Sequence, residues 1–302
     1  MNAAPFFPVP LPGEIHYSIL ARYHVLGAGA LSAKDREAIT GSRNPTLLQS
    51  AGRNTLPFAT YVAERTGLPR DQILALHTVL PYYRPFVDLP GCALESVPEY
   101  LASIRRVRSP TRLRYCPDCV DDSIKIHGQP YWRRQHQLPF VTVCVIHRRR
   151  LRDAHEITHW NTRLPLPPSD FAPSDIEAID LAEEQFAKIT NLLLTQNFPA
   201  SGVKALLETW RANWYQHRMH EDGRWKYPEI LAIYRSKLGD RIVDRLLLES
   251  GSDSPQEIPW FLDFLERNGR MHHPVMHVLF AMVFFEDVDK FFEQVNQIGN
   301  RI

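Results

Sequence analysis

Two ligand-like pairs, Cys116-x2-Cys119 and Cys144-x2-His147, stand 24 residues apart in this 302-residue chain. Donors at i and i+3 on a tight knuckle can face one ion, and two such pairs complete a tetrahedron of three thiolates and one imidazole. That soft donor set selects zinc. Four protein ligands leave no open coordination position, so the expected cofactor is one structural Zn2+ and no catalytic residue is assigned. His127 and His136 are alternatives for the fourth ligand, but each sits alone rather than on a knuckle. Cys92 falls outside the pattern and reads as a small buried hydrophobe. Asp118, Asp121 and Asp122, beside the first pair, read as solvated loop carboxylates.

The elements around these pairs must hold them in place. Phe140 to Ile146 is apolar and β-branched, which predicts a strand leading into the second pair. The 24 intervening residues suit a two-stranded excursion. Charge is concentrated on the same stretch. The chain nets +1, but residues 101–152 hold 12 basic against 3 acidic residues, or +9, while residues 153–302 hold 15 against 23, or −8. A short basic block in a neutral chain points to an anionic partner, most often nucleic acid. The competing account pairs the block with the acidic C-terminal part. Arg114, Arg133, Arg134, Arg148, Arg149, Arg150 and Arg152 surround the ligands, and guanidinium groups suit bidentate phosphate or guanine contact.

The rest of the chain reads as helical. A proline-rich opening (Pro5, Pro8, Pro10, Pro12) should lie extended over a surface. From Glu14, the positions Ile15, Ile19, Leu20 and Tyr23 keep helical spacing until Gly27 and Gly29. In the stretch from Leu56 to Pro81, apolar residues bracket a turn at Gly67, and Pro69 suits the start of a second helix, a helix-turn-helix pattern. Tyr100 to Val107 reads as a basic helix broken at Pro110. Leu164 to Pro173, with four prolines, reads as a linker. Ser174 or Asp175 could then cap a helix carrying Ile176, Ile179, Phe186, Ile189 and Leu193. Further helices are expected at 201–217, 228–249, 256–267 and 273–297. The segment from Tyr227 to Gly251 has a glycine between two amphipathic halves, a second helix-turn-helix candidate that its acidity assigns to simple packing. The expected fold is mainly α. It comprises an N-terminal helical domain (1–100), a basic zinc-ribbon domain with a β-hairpin (101–163) and a C-terminal helical domain (164–302). Neither a signal peptide nor a membrane span is expected, which places the protein in the cytoplasm.

The stretches "FPVPLPGEIHYSILAR", "RYCPDCVDD" and "YWRRQHQLPFVTVCVIH" resemble the TniQ/TnsD family of transposon target-selection proteins. "RMHHPVMHVLFAMVFF", within Trp260 to Phe285, is similar to the region after the zinc domain in the TnsD branch. That family commonly has proline after the third cysteine and glycine after the histidine, where this chain has Val145 and Arg148. The resemblance implies a bacterial, nucleoid-associated protein without catalytic activity. Such a protein marks an insertion site and recruits an AAA+ ATPase regulator of transposition. TnsD-type members read an attachment site in double-stranded DNA, whereas TniQ-type members dock on an RNA-guided CRISPR effector complex. Carried over by residue, the metal role falls on Cys116, Cys119, Cys144 and His147. The DNA role falls on the ribbon arginines and on Arg70, Gln72 and His77 of the first candidate recognition helix. A hydrolase or nuclease reading finds no carboxylate cluster with two-metal spacing, phosphate-cradling loop or nucleophile elbow.

Overall fold

A computed structural model describes residues 7–28, 37, 39, 55–89, 91–101, 112–154, 166–169, 178–196, 198–222, 224–249, 273–285 and 287–299. The chain is mainly helical, with three two-stranded antiparallel ladders among the described residues. In chain order these are α1 (His16–Tyr23), α2 (Thr55–Thr66), α3 (Arg70–His77), α4 (Leu80–Tyr83), α5 (Val97–Leu101), β1 (Arg114–Tyr115), α6 (Pro117–His127), β2 (Val143–Cys144), β3 (Arg149–Arg150) and β4 (Arg152–Asp153). There follow α7 (Leu181–Thr195), α8 (Val203–Gln216), β5 (His220–Glu221), β6 (Arg224–Trp225), α9 (Tyr227–Leu238), α10 (Asp240–Glu249), α11 (Pro274–Phe284) and α12 (Val288–Gly299). No helix among the described residues is long and apolar enough to cross a membrane.

The proline-rich opening is laid against the segment that precedes the second ligand pair. Ile15 N–H donates to the Trp132 carbonyl at 3.0 Å, Arg134 N–H donates to Gly13 O at 2.9 Å, and Tyr131 Oη donates to Pro12 O at 3.0 Å. Glu14 anchors this strap. Its buried carboxylate accepts from Leu11 N–H, Ser18 Oγ and Arg22 Nη1 at 2.7–2.9 Å. Burial raises its pKa, while Arg22, the Leu11 N–H and Ser18 pull the other way. Three donors on one carboxylate favour the ionised form.

The helix pair α2–α3 forms as the apolar spacing predicts, with Gly67 at φ +72° in the left-handed conformation that a side chain disfavours. Phe58, Val62, Ile73 and Leu74 bury the shared face, while Arg70, Asp71 and Gln72 face solvent. The second pair, α9–α10, turns at Gly239 (φ +80°) and is clamped by Arg235 on Asp240 and Asp244 at 2.6 and 2.7 Å.

Several expectations change. The strand over 140–146 shrinks to β2, because Phe140 stands at φ +63°, outside extended geometry. The excursion between the ligand pairs is an 11-residue helix, α6, followed by a 3-10 turn over Arg134–Gln137. Asp180, rather than Ser174 or Asp175, caps α7, accepting from Ala182 N–H at 3.0 Å. The helix expected over 273–297 is two helices, since Phe285 is extended and Asp287 accepts from Lys290 N–H. A hairpin, β5–β6, interrupts the helices at 220–225. Ser174, Asp175, Ile176, the helix over 256–267, Pro110 and residues 102–107 lie outside the described residues.

One continuous set of buried side chains runs from Ile15 through Trp132, Phe186 and Trp210 to Val295, crossing positions 100 and 163. In its C-terminal part, His277 stacks on Phe86 (4.6 Å between centroids) and meets Trp210 edge-on. His273 caps α11, its Nδ1 accepting from Val275 N–H at 3.2 Å. Burial holds His273 down to about 3, so the ring is neutral, and the proton must sit on Nε2, 3.2 Å from Tyr83 Oη.

Candidate metal centre

Cys116 is the residue before α6 and Cys119 lies in its first turn, so this pair is a helix N-terminus rather than a ribbon knuckle. Pro117 takes the first helical position, where a missing N–H costs nothing, and Gly128 ends the helix at φ +73°. The positive end of α6 faces the sulfurs and favours thiolates. Cys144 closes β2, which pairs with β3 in the register Cys144↔Arg149. The connecting turn is closed by Arg148 N–H donating to Cys144 O at 2.9 Å, with Arg148 itself at φ +49°. This is the position that the family pattern gives to glycine.

The four ligand atoms lie within 4.8 Å of one another. Cys119 Sγ is 3.6 Å from Cys144 Sγ, and His147 Nδ1 is 3.7, 3.3 and 3.8 Å from the sulfurs of Cys116, Cys119 and Cys144. A tetrahedral zinc ion with ordinary bond lengths requires about 3.8 Å between sulfurs and about 3.5 Å from sulfur to nitrogen. These four separations are close to those of one such ion, so the cluster could hold it. All three cysteines are buried, with Leu151 packed over them.

His147 Nε2 is 3.0 Å from Asp122 Oδ2. That bond places the ring proton on Nε2 and leaves the Nδ1 lone pair for the metal. Of the two alternative ligands, His136 lies 4.0 Å from one sulfur only, and burial holds it neutral, down to about 3. His127 packs edge-on against Tyr131. The acidic trio is not simply solvated, because Asp122 orients His147 and Asp118 accepts from Arg149 at 2.7 Å. Cys92 is buried, as its isolation suggested.

The basic residues divide sharply. Arg114 is buried and donates to the carbonyls of Val141 and Leu138. Arg134 is 4% exposed and donates to Ala75 O, Thr78 O and Leu194 O, which ties the C-terminal end of α3 to that of α7. His77 is buried, with Nδ1 2.9 Å from Glu14 O. These three hold the fold from within. Arg150 bonds bidentately to Glu183 at 2.8 and 3.1 Å, and Arg148, 70% exposed, meets Glu184 at 3.0 Å. For Arg148 and Arg150 the pairing with the acidic C-terminal part is therefore real, since both glutamates lie in the first turn of α7. Arg133 reaches across the Tyr131 ring, Arg70 pairs with Glu95 at the surface, and Gln72 is exposed.

Residues 5–151 match the model of the TniQ family. This stretch belongs to the TniQ family. The matched TniQ residues contain the strap, the α2–α3 pair and all four metal ligands. The chain is also 30% identical over 154 residues to the transposon Tn7 transposition protein TnsD of Escherichia coli. That alignment covers 47% of this chain and 30% of the relative, so the chain spans about a third of that longer protein.

Proposed function

We propose that the chain is a target-site selector for transposition, one that binds attachment-site duplex DNA and recruits the AAA+ ATPase regulator without catalysing a reaction itself. The observation that carries this is the coincidence, within the TniQ residues, of a closed Cys3His site and an exposed helix face bearing Arg70 and Gln72. The zinc ion would complete the fold of the module around α6, and its closed coordination leaves no position for substrate. Base contacts are assigned to Arg70 and Gln72, and phosphate contacts to Arg133, Arg148 and Arg149. Arg114, Arg134 and His77 support them from inside, and Arg150 orients the hairpin through Glu183. The protein would then work in the bacterial cytoplasm on the nucleoid.

Electrophoretic shifts of labelled attachment-site duplex, against scrambled duplex and at rising salt, test the proposal. Loss of a base contact in Arg70→Ala should cost ~1–3 kcal/mol on the specific site only. Equal affinity for both duplexes would remove the DNA-reading half of the proposal. A second reading, docking on an RNA-guided CRISPR effector complex, is favoured by one observation. The hairpin cations Arg148, Arg149 and Arg150 are already paired with Glu184, Asp118 and Glu183. Retention of such a complex on the immobilised chain, with weak binding to naked duplex, would decide for it.

A further inference from the structure

A cavity of 350 Å³ opens between the Phe198–Ser201 segment and α12, outside the TniQ residues. Phe198 and Phe292 form its floor, stacked at 4.8 Å with 28° between planes. Phe292 is anchored beneath by Phe86 at 5.9 Å, so the floor is tied to the core. Asp289 and Glu293, one helical turn apart on α12, stand exposed on the rim with Asn296. Neither carboxylate is ion-paired among the described residues. Asp289 lies in the first turn of its helix, where a carboxylate is favoured in any case, but Glu293 and Asn296 have no such explanation. Ser201, partly buried, also lines the cavity, its Oγ turned away from solvent and without a hydrogen-bond partner among the described residues.

An aromatic floor under an acceptor-rich, doubly anionic rim suits a cation on an apolar stem, and repels phosphate. We infer that this cavity receives an arginine side chain from a protein partner. The stem lies along Phe198 and Pro199, and the guanidinium spans Asp289 and Glu293. Arginine fits better than lysine because its planar fork both stacks on rings and bonds two carboxylates. The site supplies a chemistry for the protein-recruiting half of the proposed function, and rests on that reading only for the identity of the partner.

The probe is a capped Gly-Gly-Arg-Gly-Gly peptide, titrated into the 15N-labelled full chain at low salt. A citrulline peptide of the same shape, without the charge, is the comparison. Saturable amide shifts at Ser201 and over 289–296 are expected with arginine only. The Asp289→Asn/Glu293→Gln double variant, altered only at exposed positions, should bind at least ~tenfold more weakly, with a melting temperature lowered by no more than about the few degrees that the lost helix-terminal charge of Asp289 costs. Equal binding of the citrulline peptide, equal binding by the double variant, or shifts confined to other residues would overturn the inference. The same variant should leave duplex DNA affinity unchanged, so failure here and failure of DNA reading are separable.

Discussion

Asp122→Ala probes the metal centre through a residue that is not a ligand. Asp122 holds the proton of His147 on Nε2 across 3.0 Å, which leaves Nδ1 aimed at the three sulfurs. Removing such a partner costs ~10–100-fold in metal affinity, or about 1.4–2.7 kcal/mol. Asp122 is 44% exposed, so water can replace part of its role, and the lower end, about tenfold, is expected here. The whole site should be worth on the order of 10 kcal/mol, so the variant stays folded when zinc is saturating. Competition against a chromogenic chelator reads the affinity directly, with the exposed neighbour Asp121→Ala as the comparison. Unchanged affinity in Asp122→Ala, or an equal loss in Asp121→Ala, would refute His147 as an Nδ1 ligand oriented by this carboxylate.

Other outcomes follow from the same geometry. Glu183→Ala leaves Arg150 half-enclosed without its carboxylate and should destabilise the fold by ~3 kcal/mol in denaturant unfolding, while Glu183→Leu with Arg150→Met recovers most of the loss. Arg148→Gly exchanges left-handed strain of ~1–2 kcal/mol for an exposed ion pair worth ~0–1 kcal/mol, so zinc-loaded stability should hold or rise by up to ~2 kcal/mol. A loss of stability would show that the hairpin needs the Glu184 contact. Burial holds His16, His77 and His273 down to about 4, 4 and 3, below the ordinary 6.5. The unfolded chain therefore takes up protons that the fold refuses. Stability is full above pH 6.5 and falls as pH drops towards 4, with a limiting slope near ~1.4 kcal/mol per pH unit for each histidine. Unfolding midpoints at pH 7 and pH 5 read the slope, and His273→Gln should flatten it.

The Cys116, Cys119, Cys144 and His147 cluster was legible because coordination constrains spacing directly, and i, i+3 pairs survive whatever backbone carries them. The spacing alone suggests a tight knuckle and does not distinguish it from a helix N-terminus, although Pro117 and Gly128 bracket α6 as helix start and stop signals. The charge block showed that cations cluster but not what they face. Arg114 and Arg149 look alike in sequence, yet one is spent on carbonyls of Leu138 and Val141 and the other on Asp118. Those acceptors are brought close only by tertiary packing. Glu183 and Glu184 were missed for the same reason, lying more than 30 residues from the arginines they bind. The β5–β6 hairpin did leave a signal, the Asp222-Gly223 dipeptide that marks tight hairpin turns.

Under the proposed target-selecting role, Arg134 has a consequence for how target choice can change over time. Its guanidinium is committed to carbonyls at the C-terminal ends of two helices, Ala75 and Thr78 at the end of α3 and Leu194 at the end of α7. Grafting a relative's metal module onto this chain would have to bring an arginine to the same three oxygens, so the module is poorly portable. Arg70 and Gln72 belong to the same helix but touch none of this internal wiring. Substitution there is free to drift without disturbing the interior, so if α3 reads DNA as proposed, new specificities should arise by point changes on it and seldom by exchange of whole modules.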